Sequence, residues 1–366
     1  MFKKLIGKIN FKGDLIVLVV TIILSLISLY AVYSSTGKIL IQLFHVALCF
    51  IGIYVFYKID YRNLSQFSFL LLIIAFVLMI ITLLTGEKGR AIEIFGQNFQ
   101  TFYFIGFFVV FYISKFLALR LNKDEQLTSK EVLFLFLVIG LFCGGMALAN
   151  LSTAIILFFT SLVVLFIGNV KFKYIFLFVF ICMIGGIGIL FLNIGRGDTA
   201  KNRLSYYFSS EKKDDKQPLD KATADYGRQM ILAKAAISRS GLMPAGPGQG
   251  VIKKSLAQKD TDYIYSTVVE EVGIIVGIAI LFAYLIFFYR SWMIARHSEG
   301  PFGMLLAIGI GFWFTCQALV HIGVNCELLP ATGQTLPFIS RGGASMLFSG
   351  IIVGTLLNIS KNTAKQ

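Results

Sequence analysis

Charge is what this sequence has least of. Asp, Glu, Lys and Arg make up 14% of its 366 residues and hydrophobic types 57%, whereas an ordinary soluble domain carries about 25% charge. Too few polar side chains are present to cover a water-facing surface. That excludes a soluble globule and, with it, domain counting at one per ~150 residues. Cysteine is sparse as well: Cys49, Cys143, Cys182, Cys316 and Cys326 stand singly, with no CxxC spacing. Neither a disulfide framework nor a metal knuckle is expected, and each reads as a small buried hydrophobe. No phosphate-binding loop or dinucleotide fingerprint occurs, which excludes an energy-coupling domain in this chain. Histidine is limited to His45, His297 and His321, none with a metal-spaced partner. His45 and His321 read as buried hydrogen-bonding groups and His297 as a loop residue.

What the sequence has in abundance is long apolar runs. A helix crosses about 30 Å of hydrocarbon at about 1.5 Å per residue. Ten windows are long enough, at about 15–34, 39–57, 66–84, 102–118, 132–149, 151–169, 173–193, 263–288, 302–325 and 339–359. Only the polar turn from Asn150 to Thr153 separates the fifth from the sixth. The first follows MFKKLIGKINFKGDL, and its apolar run is too long for a signal-peptide core and lacks a cleavage site, so it is expected to stay as an anchor. Basic residues of short loops set sidedness. Sixteen Lys and Arg fall in the segments that are inside if the N-terminus is cytoplasmic, against Lys38, Lys88, Arg90 and Arg341 in the short outer loops. The expected fold is therefore all-α and polytopic, about ten transmembrane helices in a single membrane domain over 1–366. Both termini are cytoplasmic, and one large extracytoplasmic loop, 194–262, lies between the seventh and eighth helices.

The net charge of +14 is then mostly inner-leaflet bias rather than a nucleic-acid signature, with the N-terminal lysines meeting anionic membrane lipids. The long loop holds 13 Lys/Arg and 8 Asp/Glu, and 13 − 8 leaves +5 on the outer side. That excess suits an anionic lipid-linked ligand, or is simply a solvated loop. Its first part, 198–225, alternates in charge and is expected to be mobile. MILAKAAIS then suggests a short interfacial helix. SGLMPAGPGQG, including Gly246 and Gly248, reads as a tight turn or a plain linker.

The loop delivers Asp262 to the edge of the eighth span. It is either an N-cap for that helix or a functional carboxylate, since an acid at membrane depth costs about 2.5–3.5 kcal/mol or more. Glu270 and Glu271 lie two turns on, ~12 Å deeper; intramembrane acids face the bundle interior or a water-filled cavity, and at least one is expected to belong to a site. In LPFISRGG, Arg341 stands at the start of the tenth span, with Gly342 and Gly343 leaving helix amides open to an anion. The bland alternative is a snorkelling arginine. Asn325, Glu327 and Thr332 form a polar rim beside it, Asn325 being equally suited to bonding between helices.

Two of these stretches, GPGQGVIKKSLAQKDTDYIYSTVVEEVGIIVG and IGVNCELLPATGQTLPFISRGGASMLFSGIIVGTLLNIS, resemble the signatures of the SEDS (shape, elongation, division and sporulation) family of peptidoglycan glycosyltransferases. TGQTLPFISRGG, with Pro337, is most similar to the FtsW cell-division branch and next to the RodA elongation branch. The resemblance spans the whole chain. It implies a polymerase of lipid II, working in the bacterial inner membrane at the division septum beside a class B penicillin-binding transpeptidase and other divisome membrane proteins. The family's essential aspartate, in a TDF-like tripeptide, falls on Asp262 within Thr261, Asp262 and Tyr263, in the role of general base. Candidates for the substrate's diphosphate are Arg203, Lys254 and Arg341. Arg90 and Gln100 match the family's first outer loop.

The chain also departs from that pattern. The family's Trp, Glu and Lys in the first outer loop and fourth span appear as Ala91, Tyr103 and Gly106, and its Pro-Asp-Leu-Gly turn as Ala149, Asn150, Leu151 and Ser152. An intramembrane acid–base pair is thus missing there, Glu93 being the nearest substitute and more in keeping with a solvated loop. No metal-binding residues are assigned, and a divalent cation is the one cofactor left open. Two other classes compete: a lipid II flippase or transporter, which needs a polar path across both leaflets, and a non-catalytic scaffold of the division machinery.

Overall fold

The computed structural model describes residues 12–85, 92–94, 97–123, 125–191, 201, 203, 207, 221–241 and 244–363. Helix α1 is Leu15–Thr36 and α2 is Ile39–Lys58. A one-turn helix, Tyr61–Leu64, leads into α3, Ser68–Thr85. A small hairpin follows, β1 (Ile92–Ile94) against β2 (Gln97–Phe99), antiparallel with Ile92 opposite Phe99. Then come α4 (Phe102–Leu121), α5 (Ser129–Ala149), α6 (Leu151–Ile167) and α7 (Phe172–Phe191). Past the long connection lie α8 (Lys221–Ser240), α9 (Ile264–Val272), α10 (Ile274–Arg296), α11 (Pro301–Asn325) and α12 (Gly343–Thr363). Among the described residues eight helices are long and apolar enough to cross a membrane, and Leu151–Ile167 and Phe172–Gly186 are shorter apolar helices. Together they account for the ten expected spans.

The boundaries follow local chemistry. Asp14 caps α1 by accepting from the Ile16 and Val17 amides at 3.0 Å, and Gly37 ends it at φ 70°. Thr128 and Glu131 form a capping box on α5. Asn150 closes α5 and caps α6 through the Thr153 amide, so one polar residue does separate the fifth and sixth spans.

Helices α4, α11 and α12 form the buried centre. The most apolar window of α12 is 89% buried against 28% for α2, which leaves α2 one lipid-facing side. Small residues set how closely they approach. A Cβ at Gly350 of α12 would lie 2.2 Å from the Cys49 carbonyl oxygen of α2, and one at Gly106 of α4 would lie 1.9 Å from the Trp313 ring of α11. Gly106 therefore makes room for Trp313, while Tyr103 stacks on Phe348 at 5.4 Å. Where the family pattern has an acid and a base, this chain has an aromatic core.

The connections sort onto two faces. On one, Asp14 pairs with Arg290, the Asp14 amide donates to Ser360 Oγ at 2.9 Å, and Asn358 joins Tyr57 and Tyr61. The connections expected outside gather on the opposite face, around Asp262.

The eighth span is not the continuous 263–288 helix that the apolar run suggests. It breaks at Gly273, whose φ of 99° and ψ of 162° no helix accommodates. Pro244 packs against that glycine, and the Ala245 and Gly246 amides donate to the carbonyls of Glu270 and Glu271. The glycine-rich turn is confirmed by Gly241, Gly246 and Gly248 at φ 46°, 96° and 77°. The interfacial helix is longer than MILAKAAIS, at 20 residues. Most of the stretch expected to be mobile, 198–225, lies outside the described residues, as does Arg90.

Candidate functional site

Asp262 is carried on a backbone clamped from the closing helices. Three successive carbonyls each accept one hydrogen bond: Asp260 from the Arg341 amide at 2.8 Å, Thr261 from Ser340 Oγ at 2.8 Å, and Asp262 from Asn325 Nδ2 at 3.1 Å. Asn325 is fully buried and its Oδ1 also accepts from Ser266 Oγ at 2.7 Å, so its role is bonding between helices. Arg341 forms an ion pair with Asp260 as well. The N-cap of α9 is Tyr263, with no side-chain cap bond. Asp262 therefore stands one residue before the N-cap position rather than at it.

Two cavities meet at this half-buried carboxylate. The larger, about 390 Å³, is lined by Ile41, His45, Gln100, Thr261, Asp262, Thr335, Arg341, Gly342, Gly343 and Ser345. It draws on the starts of α2, α4 and α12, and among the described residues its full charges are Asp262 and Arg341. The smaller, about 140 Å³, is lined by Arg203, Gln229, Gln258, Asp262, Tyr263, His321, Thr332 and Gln334 among others. Arg203 is steadied there by donating to the Ala331 carbonyl at 3.0 Å. Asp262, Arg203, Gln100, Arg341, Gly342, Gly343 and Thr332 thus converge on one place, drawn from four connections far apart in sequence. Pro337 sits behind them, its carbonyl accepting from Tyr284. Tyr103 reaches Thr335 Oγ1 at 2.9 Å, so the residue standing in the family's acid position supports the cavity wall.

Other expected residues fall elsewhere. Glu270 lines neither cavity: its Oε1 accepts from the Val251 and Ile252 amides at 2.8 Å and its Oε2 from the Lys253 amide at 2.9 Å. Glu271 pairs with buried Lys253 and accepts from Tyr30 at 2.9 Å and Ser34 at 2.6 Å. Both acids face the bundle interior, as their depth requires, but into a protein knot. Lys254 is exposed on the one-turn helix Ile252–Ser255 and borders neither cavity. Gly246 and Gly248 shape the turn beside that knot. Glu327 pairs with Lys234 of α8 at 2.8 Å. Glu93 lies in β1 opposite Asn98. Among the described residues no three His, Cys, Asp or Glu side chains are grouped to hold a metal.

A histidine borders each cavity, and for one of them, His45, the sequence gives no warning. His45, 4% exposed, bonds Gln42, which reaches the Ile339 carbonyl through Ser28. A usable signal did exist for the other. Gln317, His321 and Asn325 recur every four residues on an otherwise apolar helix, which puts them on one face.

A family model for FtsW, RodA and SpoVE, described as "Cell cycle protein", matches residues 8–365. This chain belongs to the FtsW/RodA/SpoVE family. It is 28% identical to stage V sporulation protein E of Bacillus subtilis (strain 168), covering 95% of this chain and 97% of that protein. It is also 28% identical to the probable peptidoglycan glycosyltransferase FtsW of Geobacter sp. (strain M18), covering 95% and 96%. Among solved structures, a chain from a study titled "Structural coordination of polymerization and crosslinking by a peptidoglycan synthase complex" superposes with a TM-score of 0.75 at 17% identity, over 97% of this chain and 99% of that one. Thermus thermophilus rod shape determining protein RodA superposes at 0.64 and 17% identity, over 96% and 97%. The family's polytopic membrane fold is therefore the fold of this chain.

Proposed function

We propose that this FtsW/RodA/SpoVE family member is a peptidoglycan glycosyltransferase that polymerises lipid II for septal wall synthesis. The observation that carries the reading is the convergence of two cavities on Asp262, one bearing Arg341 beside the start of α12, the other walled by Arg203 and by neutral polar groups such as Gln229, His321 and Gln334. The names of full-length relatives support the reaction class.

In this reading the donor's diphosphate lies against Arg341 and the first amides of α12, where Gly342 and Gly343 present no side chain. The acceptor sugar occupies the smaller cavity with its 4-hydroxyl at Asp262. The carboxylate takes the hydroxyl proton while the oxygen bonds to the donor's anomeric carbon. The bond from that carbon to the diphosphate breaks on the opposite side, its electron pair leaving on the phosphate oxygen, and the configuration inverts. The three clamped carbonyls hold the base in register between the reactants. Gln100 and Arg203 supply hydrogen-bond donors on either side. The enzyme works in the cytoplasmic membrane with both termini inside, beside a class B transpeptidase. The likeness to a chain from a peptidoglycan synthase complex supports that partnership.

The test is glycan polymerisation from fluorescent lipid II by the purified protein with its transpeptidase, whose own activity is blocked. Polymer from the wild type and none from an equally folded Asp262→Asn variant supports enzyme and base together. Polymer from both removes Asp262 from the mechanism. Polymer from neither, where a related enzyme works, favours a scaffold or a transporter.

A further inference from the structure

The smaller cavity contains a histidine that the mechanism above leaves unused. His321 is 1% exposed, and its Nδ1 lies 2.8 Å from the Gln334 carbonyl oxygen. A carbonyl only accepts, so Nδ1 carries the proton and Nε2 of the neutral ring is a lone-pair acceptor. Among the described residues that Nε2 has no hydrogen-bond partner. Gln334, 2% exposed on the same wall, donates its amide to Thr153 Oγ1 at 2.7 Å, and its Oε1 is likewise without a partner among the described residues.

Buried polar atoms are costly to leave unpaired, and these two border one small cavity with the Asp262 carboxylate. Three acceptors call for a ligand rich in donors. A dication fits poorly, because the Arg203 guanidinium shares the wall. Neutral hydroxyls fit without that repulsion, and a pyranose offers several at fixed spacing.

We propose that His321 is a specificity-determining residue: its Nε2 accepts from a second hydroxyl of the acceptor sugar, beside the one Asp262 deprotonates, with Gln334 Oε1 as a further acceptor. The sugar is then held by two hydroxyls, which fixes which oxygen meets the base. A sugar without the second hydroxyl leaves Nε2 unpaired in the complex and is rejected. This rests on the glycosyltransferase reading.

The test uses the full chain with its transpeptidase and a labelled lipid II donor whose own 4-hydroxyl is blocked, so that it acts only as donor and transfer of its label reports each unlabelled analogue as acceptor. Single coupling is measured for lipid II and for its 3-deoxy and 6-deoxy N-acetylglucosamine analogues. The wild type is expected to lose about tenfold in kcat/KM on one of the two, the worth of one hydrogen bond. His321→Asn keeps an amide N–H for the Gln334 carbonyl but has no atom in place of Nε2. It should show that same loss on intact lipid II and no further loss on the discriminated analogue, while His321→Gln, whose amide oxygen reaches further, recovers part of it. Less than a twofold effect of either deletion on the wild type overturns the inference without recourse to any variant. So do losses that multiply when variant and analogue are combined. A wild type that couples intact lipid II but fails these comparisons sinks only the role of His321; one that never couples it sinks the glycosyltransferase reading too.

Discussion

Helix α9 carries acids at both ends and treats them in opposite ways. At its C-terminal end Glu270 holds three backbone amides, and Glu271 holds Lys253, Tyr30 and Ser34. At the other end hydrogen bonds also abound, but they fall on the carbonyls of residues 260–262, and the Asp262 carboxylate borders two cavities. Burial alone does not separate a working acid from a fastening one. The deeper acids, 0% and 1% exposed, are the fasteners, because every oxygen lone pair spent on the protein is unavailable to a substrate. In the proposed mechanism the hydrogen bonds to the backbone of residues 260–262 are what hold the base between the two cavities.

The largest effect that tests this contrast is at Asp262. Removing a general base costs about 10²–10⁴-fold in rate, so Asp262→Asn should lower lipid II polymerisation by at least about 10²-fold. Its thermal midpoint in detergent should stay unchanged, since Tyr263 and not Asp262 caps α9. A clear fall in the midpoint would break the comparison. Glu271→Gln should do the reverse: stranding the buried Lys253 ammonium costs about 3–5 kcal/mol, read as loss of folded protein in denaturant. Combining it with Lys253→Met should restore most of that stability, because the pair stabilises little once both charges are gone. Smaller still is Glu270→Gln, which keeps one oxygen but turns an N–H toward a backbone amide. A cost of about 1–3 kcal/mol, appearing as faster proteolysis near residues 244–256 with the spans intact, would sharpen the contrast. A selective rise in KM for lipid II at unchanged stability would return Glu270 to the substrate site.

Much of this was readable in advance because bilayer physics is written in long windows. Ten apolar runs became ten membrane-length or shorter apolar helices, and Asn150 divided two of them as its capping chemistry allows. The break at Gly273 was not legible, because a lone glycine in VVEEVGIIVG weakens a helix without ending it; in the fold Pro244 packs on that glycine and the amides of residues 245 and 246 bond the carbonyls of Glu270 and Glu271. Motif positions name Asp262, Arg341 and Gln100, which line one cavity. Glu270 was overvalued because depth in a membrane signals that an acid has a partner, not which partner. His321 is the buried, hydrogen-bonded histidine that the sequence suggests; its place in the cavity beside Asp262 follows only from the face it shares with Gln317 and Asn325.

The finest contrast is between neighbouring lysines. Lys253 is 4% exposed and meets Glu271 together with the Ser34 carbonyl and hydroxyl, both at 2.9 Å, while Lys254 points outward and borders neither cavity. The family resemblance offers Lys254 as a diphosphate ligand alongside Arg203 and Arg341. Of these, Arg341 lines the larger cavity with Asp262 at the start of α12, the place that the proposed mechanism gives the diphosphate. Lys254→Ala should therefore change stability by no more than about 0.5 kcal/mol and leave kcat/KM for lipid II within about twofold at moderate salt, where an exposed charge beyond about 8–10 Å is screened. Arg341→Ala, measured in parallel, should raise KM and lower kcat together, because a diphosphate gains charge on its bridging oxygen as the bond breaks and the guanidinium stabilises that charge more than the bound ground state. Equal losses from the two variants would mean that the anion lies nearer the one-turn helix than α12. The base would then act from the other side of Asp262, with donor and acceptor exchanging cavities.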